Sequence, residues 1–327
     1  MVMAEDEPVL CAVDARGVAT VTLNRPRVGN AYNGALIDAL LDTFARLDRE
    51  TDLRCVVLKG AGKHFQAGAD LTFLDHLRTV SPEENHEFSR RTVAAIRGLQ
   101  LSSRPTIALV HGGCFGGGLG IAAACDIAIA AEDAVFAISE VRWGITPAPI
   151  VPLLVDRIGA RNAGRLALTG ERFDAATAKS IGLMHEVCPM AELEAIGARI
   201  IDHLLLAGPE AVAITKRLVG EAVETPFATL HDRIVEEAAS RRRSAEAAEG
   251  LASFREKRPP KWYPKADRYP LNRVTPWPGL SRPSTSFSFA SLGSEDVDPR
   301  DKPGGGDFLR SGFVLHYRIR WSKRVSR

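Results

Sequence analysis

His111-Gly112-Gly113-Cys114-Phe115-Gly116-Gly117-Gly118-Leu119-Gly120 is the stretch on which the reading of this chain turns. It follows the apolar run 105–110, which reads as a buried strand, and it enters the apolar run 119–125, which reads as a helix. A glycine run this dense lets the backbone turn sharply and lets a ligand approach the main chain. The first N–H groups of a helix have no intrahelical partner, so an anion or a developing oxyanion is stabilised at such a place. No Gly-Lys-Ser/Thr follows, which excludes a Walker-type phosphate loop. No G-x-G-x-x-G register fits 111–120, so a dinucleotide fingerprint is not supported.

Upstream, His64-Phe65-Gln66-Ala67-Gly68-Ala69-Asp70-Leu71 repeats the arrangement with a second set of small residues. It comes after the short buried strand 55–60, and Asp70 is placed to cap the helix that follows. Two such loops suggest paired N–H donors converging on one carbonyl oxygen. Around them strands and helices alternate. Residues 8–13 and 18–23 read as two strands joined by a turn at 14–17. Asn33 heads a helix with Leu36, Leu40, Leu41, Phe44 and Leu47 on one face, and another helix spans 82–101. This is the pattern of an α/β fold with helix-covered sheets. Beyond residue 150 helical periodicity dominates, including 192–206, 209–220 and 227–249.

The chain has 327 residues, 45% hydrophobic and 25% charged, with 42 Lys+Arg against 40 Asp+Glu. That composition is globular and excludes collagen-like and wholly disordered classes. The net charge of +2 is too balanced for the whole chain to bind nucleic acid. It averages two unlike parts: residues 265–327 carry a net +6 and residues 1–264 a net −4. The basic part is rich in Pro, Gly and Ser, a composition that predicts a disordered tail. Within it Leu315, Tyr317, Ile319 and Trp321 alternate with His316, Arg318 and Arg320, which leaves open a nucleic-acid or anionic-surface role. The five cysteines, Cys11, Cys55, Cys114, Cys125 and Cys188, form no C-x-x-C pair and no disulfide framework, and a reduced cytoplasmic setting is the simplest expectation. The acidic N-terminus lacks a signal-peptide core, and no apolar run approaches the roughly 18 residues of a membrane span.

Phe65-Gln66-Ala67-Gly68-Ala69-Asp70-Leu71 together with Gly116-Gly117-Gly118 resembles the crotonase (enoyl-CoA hydratase/isomerase) superfamily. Leu23-Asn24-Arg25-Pro26, Asn30-Ala31, Cys125-Asp126-Ile127-Ala128-Ile129-Ala130, Ser139-Glu140-Val141 and Leu168-Thr169-Gly170-Glu171-Arg172 continue the likeness, which covers residues 8–263. The resemblance implies an α/β crotonase-like spiral of ββα units with a C-terminal helical trimerisation region. The expected division is a spiral core over 1–195, helices over 196–264 and the basic tail over 265–327. It implies an acyl-CoA thioester substrate with no separate cofactor, coenzyme A being part of the substrate, and no metal. No nucleic acid or membrane is expected for the core, and the implied assembly is a homotrimer or a dimer of trimers.

Matched residue by residue, the resemblance makes Ala69 and Gly117 the N–H donors of an oxyanion hole and Glu140 the catalytic carboxylate. Gly116, Ala67 and Asp70 stand beside the substrate, with the Ala67 carbonyl facing the adenine amine. Arg25, Lys63 and Lys257 or Arg258 become candidate cations for the coenzyme phosphates, while Thr72 stands where a lysine is common. His64 and His111 are structural in this reading, and Trp143 and Phe115 pocket wall or core. Hydratases of the family use two glutamates, and the place of the first is Gly120 here. Hydration with Glu140 alone, double-bond isomerisation and a non-catalytic acyl-CoA-binding subunit therefore all stay open. A dehalogenase is excluded because the nucleophile's position is Ala148. Ser139-Glu140-Val141-Arg142 with Pro147-Ala148-Pro149 looks most like bacterial methylglutaconyl- and isohexenylglutaconyl-CoA hydratases, which makes Arg142 the candidate partner of a substrate carboxylate.

Overall fold

A computed structural model describes residues 7–264. The basic segment 265–327, with its alternating stretch 315–321, lies outside the described residues.

The chain opens on β1 (Val9–Val13) and β2 (Val18–Leu23), an antiparallel pair. At their turn Asp14 Oδ1 accepts from the N–H groups of Arg16 at 2.8 Å and Val18 at 3.1 Å. Asn33 caps α1 (Gly34–Leu47) by accepting from Leu36 N–H at 3.0 Å, and Leu36, Leu40, Phe44 and Leu47 form its buried face. Next come β3 (Cys55–Gly60), the short α2 (Leu71–Leu77), α3 (Pro82–Leu101), β4 (Thr106–Val110), β5 (Gly113–Phe115) and α4 (Gly117–Ala124). They lead into β6 (Ile127–Ala131), β7 (Val135–Ala137), α5 (Val151–Thr169), β8 (Arg172–Asp174), α6 (Ala175–Ser180) and β9 (Glu186–Cys188). The described chain closes with α7 (Leu193–Leu206), α8 (Pro209–Glu224), α9 (Phe227–Arg242) and α10 (Ala245–Glu256). One helix expected over 227–249 is two, because Ser244 leaves the helical path and caps α10 through Ala247 N–H at 3.0 Å.

Six strands form the main sheet in the order β1-β2-β3-β4-β6-β9, parallel throughout except for β1. A smaller sheet runs β5-β7-β8. Single parallel bridges, Gln66 with Cys114 and Tyr32 with Ala69, extend this second layer. Successive turns of the chain thus lay down a long strand, a short extended segment and an outer helix. The sets are β3 with 66–69 and α2–α3, β4 with β5 and α4, and β6 with β7 and α5. This is the spiral of ββα units that the resemblance implies.

Alternation along the strands divides the core. Val56 and Leu58 face α1 and α3, whereas Cys55, Val57, Ile107, Leu109 and Ile129 face Leu193, Ile201 and Leu205 of α7. The division expected at 195/196 therefore falls inside α7. That helix covers one face of the sheet and belongs to the body of the fold, because those alternate strand residues have no other apolar partner of comparable size. The described residues, 7–264, fall within one contact unit. Among the described residues no helix is long and apolar enough to cross a membrane.

Two cations tie the helical end to the sheet. Arg54 donates to the carbonyls of Leu205, Ala207 and Trp262 at 3.2, 2.9 and 3.0 Å. Lys216 of α8 pairs with Asp126 at 2.7 Å and donates to Arg104 O at 2.9 Å, while the same Asp126 oxygen accepts from Thr106 N–H at 2.7 Å. The Lys216 side chain is 12% exposed. Lys216→Met takes the cation from a partly buried carboxylate, which keeps its Thr106 bonds, and leaves Arg104 O without this donor; it should cost about 1–3 kcal/mol. Arg78→Ala removes a fully solvated pair with Asp75 and should cost less than about 0.5 kcal/mol. Urea denaturation of the two variants beside the parent checks the contrast; equal losses would contradict it.

Candidate active site

Three segments of backbone run side by side at the heart of the molecule. Asn30 anchors the first. It is fully buried and left-handed (φ 59°), a conformation that asparagine tolerates better than most residues. Its side-chain oxygen accepts from Arg25 N–H at 2.8 Å, and its amide nitrogen donates to the carbonyls of Ala61 and His64 at 2.9 and 2.8 Å. One carboxamide thus sets the path of the loop that starts after β3. Gln66, also fully buried, grips Gly68 from both sides: Oε1 accepts from its N–H at 2.8 Å and Nε2 donates to its carbonyl at 3.1 Å.

The second and third segments are laced to the first by backbone hydrogen bonds. Tyr32 N–H donates to Gly68 O and Asp70 N–H donates to Tyr32 O, each at 2.9 Å. These bonds flank Ala69 and leave its own N–H pointing the other way. Gln66 N–H donates to Gly113 O at 3.1 Å and Phe115 N–H to Gln66 O at 2.9 Å. Beyond the bridge of Gln66 with Cys114 the first loop stays against the second, since a Cβ on Gly68 would stand 3.4 Å from Phe115 O, and Ala69 and Gly116 line one cavity. Gly117 is the first residue of α4, so its N–H has no helical acceptor. Neither N–H has an acceptor among the described residues.

His64 completes the frame, its Nδ1 accepting from Gly113 N–H at 2.8 Å. Burial, then the charges of Lys63 and His111, hold the His64 imidazole below its ordinary value, which keeps that nitrogen an acceptor. His111 meets Gly62 O at 2.9 Å. Both histidines are structural, as expected.

Glu140 opens a 3₁₀ turn after β7 and comes to rest over Gly116. Gly116 is left-handed (φ 50°), and a Cβ there would stand 2.7 Å from Glu140 Oε1, so both backbone and space demand glycine. Glu140 Oε2 is buried with no partner among the described residues. Burial pushes the carboxyl above its ordinary value. Ala67, Ala69, Asp70, Gly116 and Glu140 line one cavity of about 340 Å³, with Trp143, Ile145 and Leu71 as apolar wall. A larger cavity of about 460 Å³ lies between α5 and α6. Its Glu171 is tied to Arg165 and its Asp174 caps α6, so it offers no free acid beside backbone donors.

Other expected residues are engaged by the protein itself, and of these only Asp70 reaches the cavity. Asp70 is the cap of α2, accepting from Thr72 N–H at 3.1 Å, and it pairs with Arg25 at 3.0 Å. Arg25 also donates to Ala31 O, so this guanidinium braces the loop from behind and does not line the cavity. Arg142 turns away as well: its side chain packs on Gly170, where a Cβ would lie 3.0 Å from Nε. Arg258 is engaged by Glu249 at 2.6 Å and by Glu256 at 2.6 Å. Lys257 ends α10 in a left-handed conformation and is not among the lining residues. The α10 end leads to Trp262, which Arg54 binds at the start of β3, whereas the cavity lies at the far end of that strand.

Two residues that the sequence did not single out belong to the site. Tyr32 lines the cavity, and its ring covers Gly117, where a Cβ would stand 2.6 Å from Cε1. Ile150 fills the place beside Gly120: a Cβ there would be 2.2 Å from Ile150 Cγ2. Gly120 is therefore packed against an apolar wall in which a second carboxylate has no room. The cysteines take no part, since burial pushes the Cys55 and Cys125 thiols up to about 12.

Residues 14–265 match the family model described as enoyl-CoA hydratase/isomerase. A short-chain-enoyl-CoA hydratase of Clostridium acetobutylicum is 32% identical over 65% of this chain and 81% of its own length. A hydroxycinnamoyl-CoA hydratase-lyase of Pseudomonas fluorescens is 35% identical over 61% of this chain and 74% of its own length. The crystal structure of an enoyl-CoA hydratase from Shewanella pealeana superposes with a TM-score of 0.74 at 34% identity, covering 78% of this chain and 96% of that one. The spiral fold agrees with these likenesses, and the chain belongs to the enoyl-CoA hydratase/isomerase family.

Proposed function

We propose that this protein adds water across the double bond of an α,β-unsaturated acyl-CoA. The observation that carries the reading is a buried carboxylate, Glu140, with an unpartnered oxygen, in the cavity beside two backbone N–H groups that have no acceptor. Ala69 and Gly117 hold the thioester oxygen. As water attacks C3, the C2–C3 π electrons shift toward the carbonyl and negative charge gathers on that oxygen, where the two donors are worth most. Glu140 takes one proton from the water and delivers one to C2, and the carboxylate is regenerated. The product carries the hydroxyl on C3 and the new hydrogen on C2.

Isomerisation is the second reading. It needs one carboxylate and no water, and the packed wall at Gly120 favours it over a two-carboxylate mechanism. As to the acyl chain, the described lining holds Asp70 and Glu140 as its charged residues and no Lys or Arg. An uncharged acyl group suits it better than the carboxylated glutaconyl chain suggested by Arg142. Assembly as a trimer is part of the proposal, supported by Val219, Val223, Phe227, Leu251 and Phe254, apolar side chains left exposed on α8–α10.

Four outcomes are expected. Incubation with a 2-enoyl-CoA should consume the conjugated-thioester absorbance and add the mass of one water. An unchanged mass with a moved double bond would transfer the reading to isomerisation. Glu140→Gln should lower kcat by roughly 10²–10⁴-fold. The same variant should melt higher than the parent near neutral pH. A carboxyl raised by burial binds its proton more tightly folded than unfolded, so the cost of burying its charge appears as pH rises above the ordinary value of 4.5 and vanishes below it. A Gln variant of unchanged Tm at pH 7 would contradict the buried charge. Light scattering should return three times the chain mass or a multiple of that; a monomer would remove the trimer.

A further inference from the structure

The place where a second carboxylate could stand is closed by Ile150, yet an attacking water needs more than one hydrogen-bond partner to be aimed. At the N-terminus of α4, over Gly117, stands Tyr32. Its main chain is fixed on both sides, by the bond to Gly68 O and by the bond from Asp70 N–H. Its ring lies on Gly117, the residue next to the one that carries Glu140, so ring and carboxylate stand over consecutive residues of one helix start. Both side chains line the same cavity. The Tyr32 hydroxyl has no hydrogen-bond partner among the described residues, and Glu140 Oε2 has none either. Two polar atoms in one small cavity, each lacking a protein partner, are the arrangement that a bridging water satisfies.

We propose that Tyr32 is the second partner of the attacking water, its phenolic oxygen accepting the water hydrogen that Glu140 does not take. The inference rests on the hydration reading above. The step balances without another group. One water hydrogen passes to Glu140 and on to C2, the oxygen bonds to C3, and the second hydrogen stays on that oxygen as the product hydroxyl. The phenol neither gains nor loses a proton. Burial, reinforced by the charge of Glu140, pushes Tyr32 up to about 12, so it stays protonated throughout the working range and serves as an orienting dipole, never as the base. The fold thus replaces a second carboxylate, which would repel Glu140 across the cavity, with a neutral group that does not.

Tyr32→Phe is the test, because the ring that covers Gly117 and the backbone bonds at both sides of residue 32 are kept. Two reactions are measured on each enzyme: hydration of a 2-enoyl-CoA, and exchange of the C2 hydrogens of a saturated acyl-CoA with deuterated water. Exchange uses the N–H donors and Glu140 but no attacking water. The phenylalanine variant should lose roughly 10- to 100-fold in kcat for hydration with KM retained, while its exchange rate stays within about twofold of the parent. Glu140→Gln should lose both reactions. A parallel fall of hydration and exchange in Tyr32→Phe would make the tyrosine a prop for the N–H donors and overturn the proposal, as would unchanged hydration or a rise in KM alone. Hydration surviving in Glu140→Gln would instead bring down the reading on which the proposal stands.

Discussion

The carboxamide of Asn30 is the constraint on which the rest depends. Its oxygen holds Arg25 N–H and its nitrogen holds Ala61 O and His64 O, so one side chain joins the end of β2, the exit of β3 and the loop that leads to Ala69. The group is fully buried, and each of its polar atoms is satisfied by main chain. A backbone loop that presents unpaired N–H groups has lost ladder bonds of its own, and something must fix it where a sheet would otherwise do so. Asn30 and Gln66 do that work with side chains. The same two residues explain why the loop is irregular yet rigid: the donors are displayed because neighbouring N–H and C=O groups are accounted for.

From that frame follows the division of labour between backbone and side chain. In the proposed reaction negative charge on a thioester oxygen meets main-chain dipoles, and main chain can approach a ligand only where side chains are small. Gly116, Gly117, Ala67 and Ala69 are thus a geometric demand, and Glu140 is the chemical one. This is why the sequence announced the loops so clearly. Dense glycine after an apolar strand has few explanations, and the strand periodicity around it left one fold class. The capping roles of Asn33 and Asp70 were legible for the same reason, since each acts on residues a few places along the chain.

What escaped the sequence is what depends on distant partners. Arg142 stands two residues from Glu140, and adjacency made it a candidate for the substrate, but a 3₁₀ turn points it at Gly170 instead. Arg25 was legible as a cation near the first loop; its engagement with Asp70, 45 residues away, was not. Lys257 and Arg258 lie on a helix end whose position is set by Arg54, a residue some 200 places earlier (208 to Trp262). Tyr32 follows the buried Asn30-Ala31 pair, but its bond to Gly68 and its place over Gly117 depend on residues far along the chain and leave no local mark.

Gly120 shows how the two kinds of information combine. In the sequence it is a missing carboxylate and raises doubt about hydration. In the fold it is a contact, where Ile150 and Ile96 close over the helix and any side chain would collide. Burial withdraws water from Glu140 and raises its proton affinity, toward the range in which a carboxyl both accepts and returns a proton. Withdrawal of water also strengthens the pull of the Ala69 and Gly117 N–H groups on a developing oxyanion. On the hydration reading, aid to the water comes from a group other than an acid at 120, and Tyr32, over Gly117, is the neutral hydroxyl that the cavity offers beside Glu140.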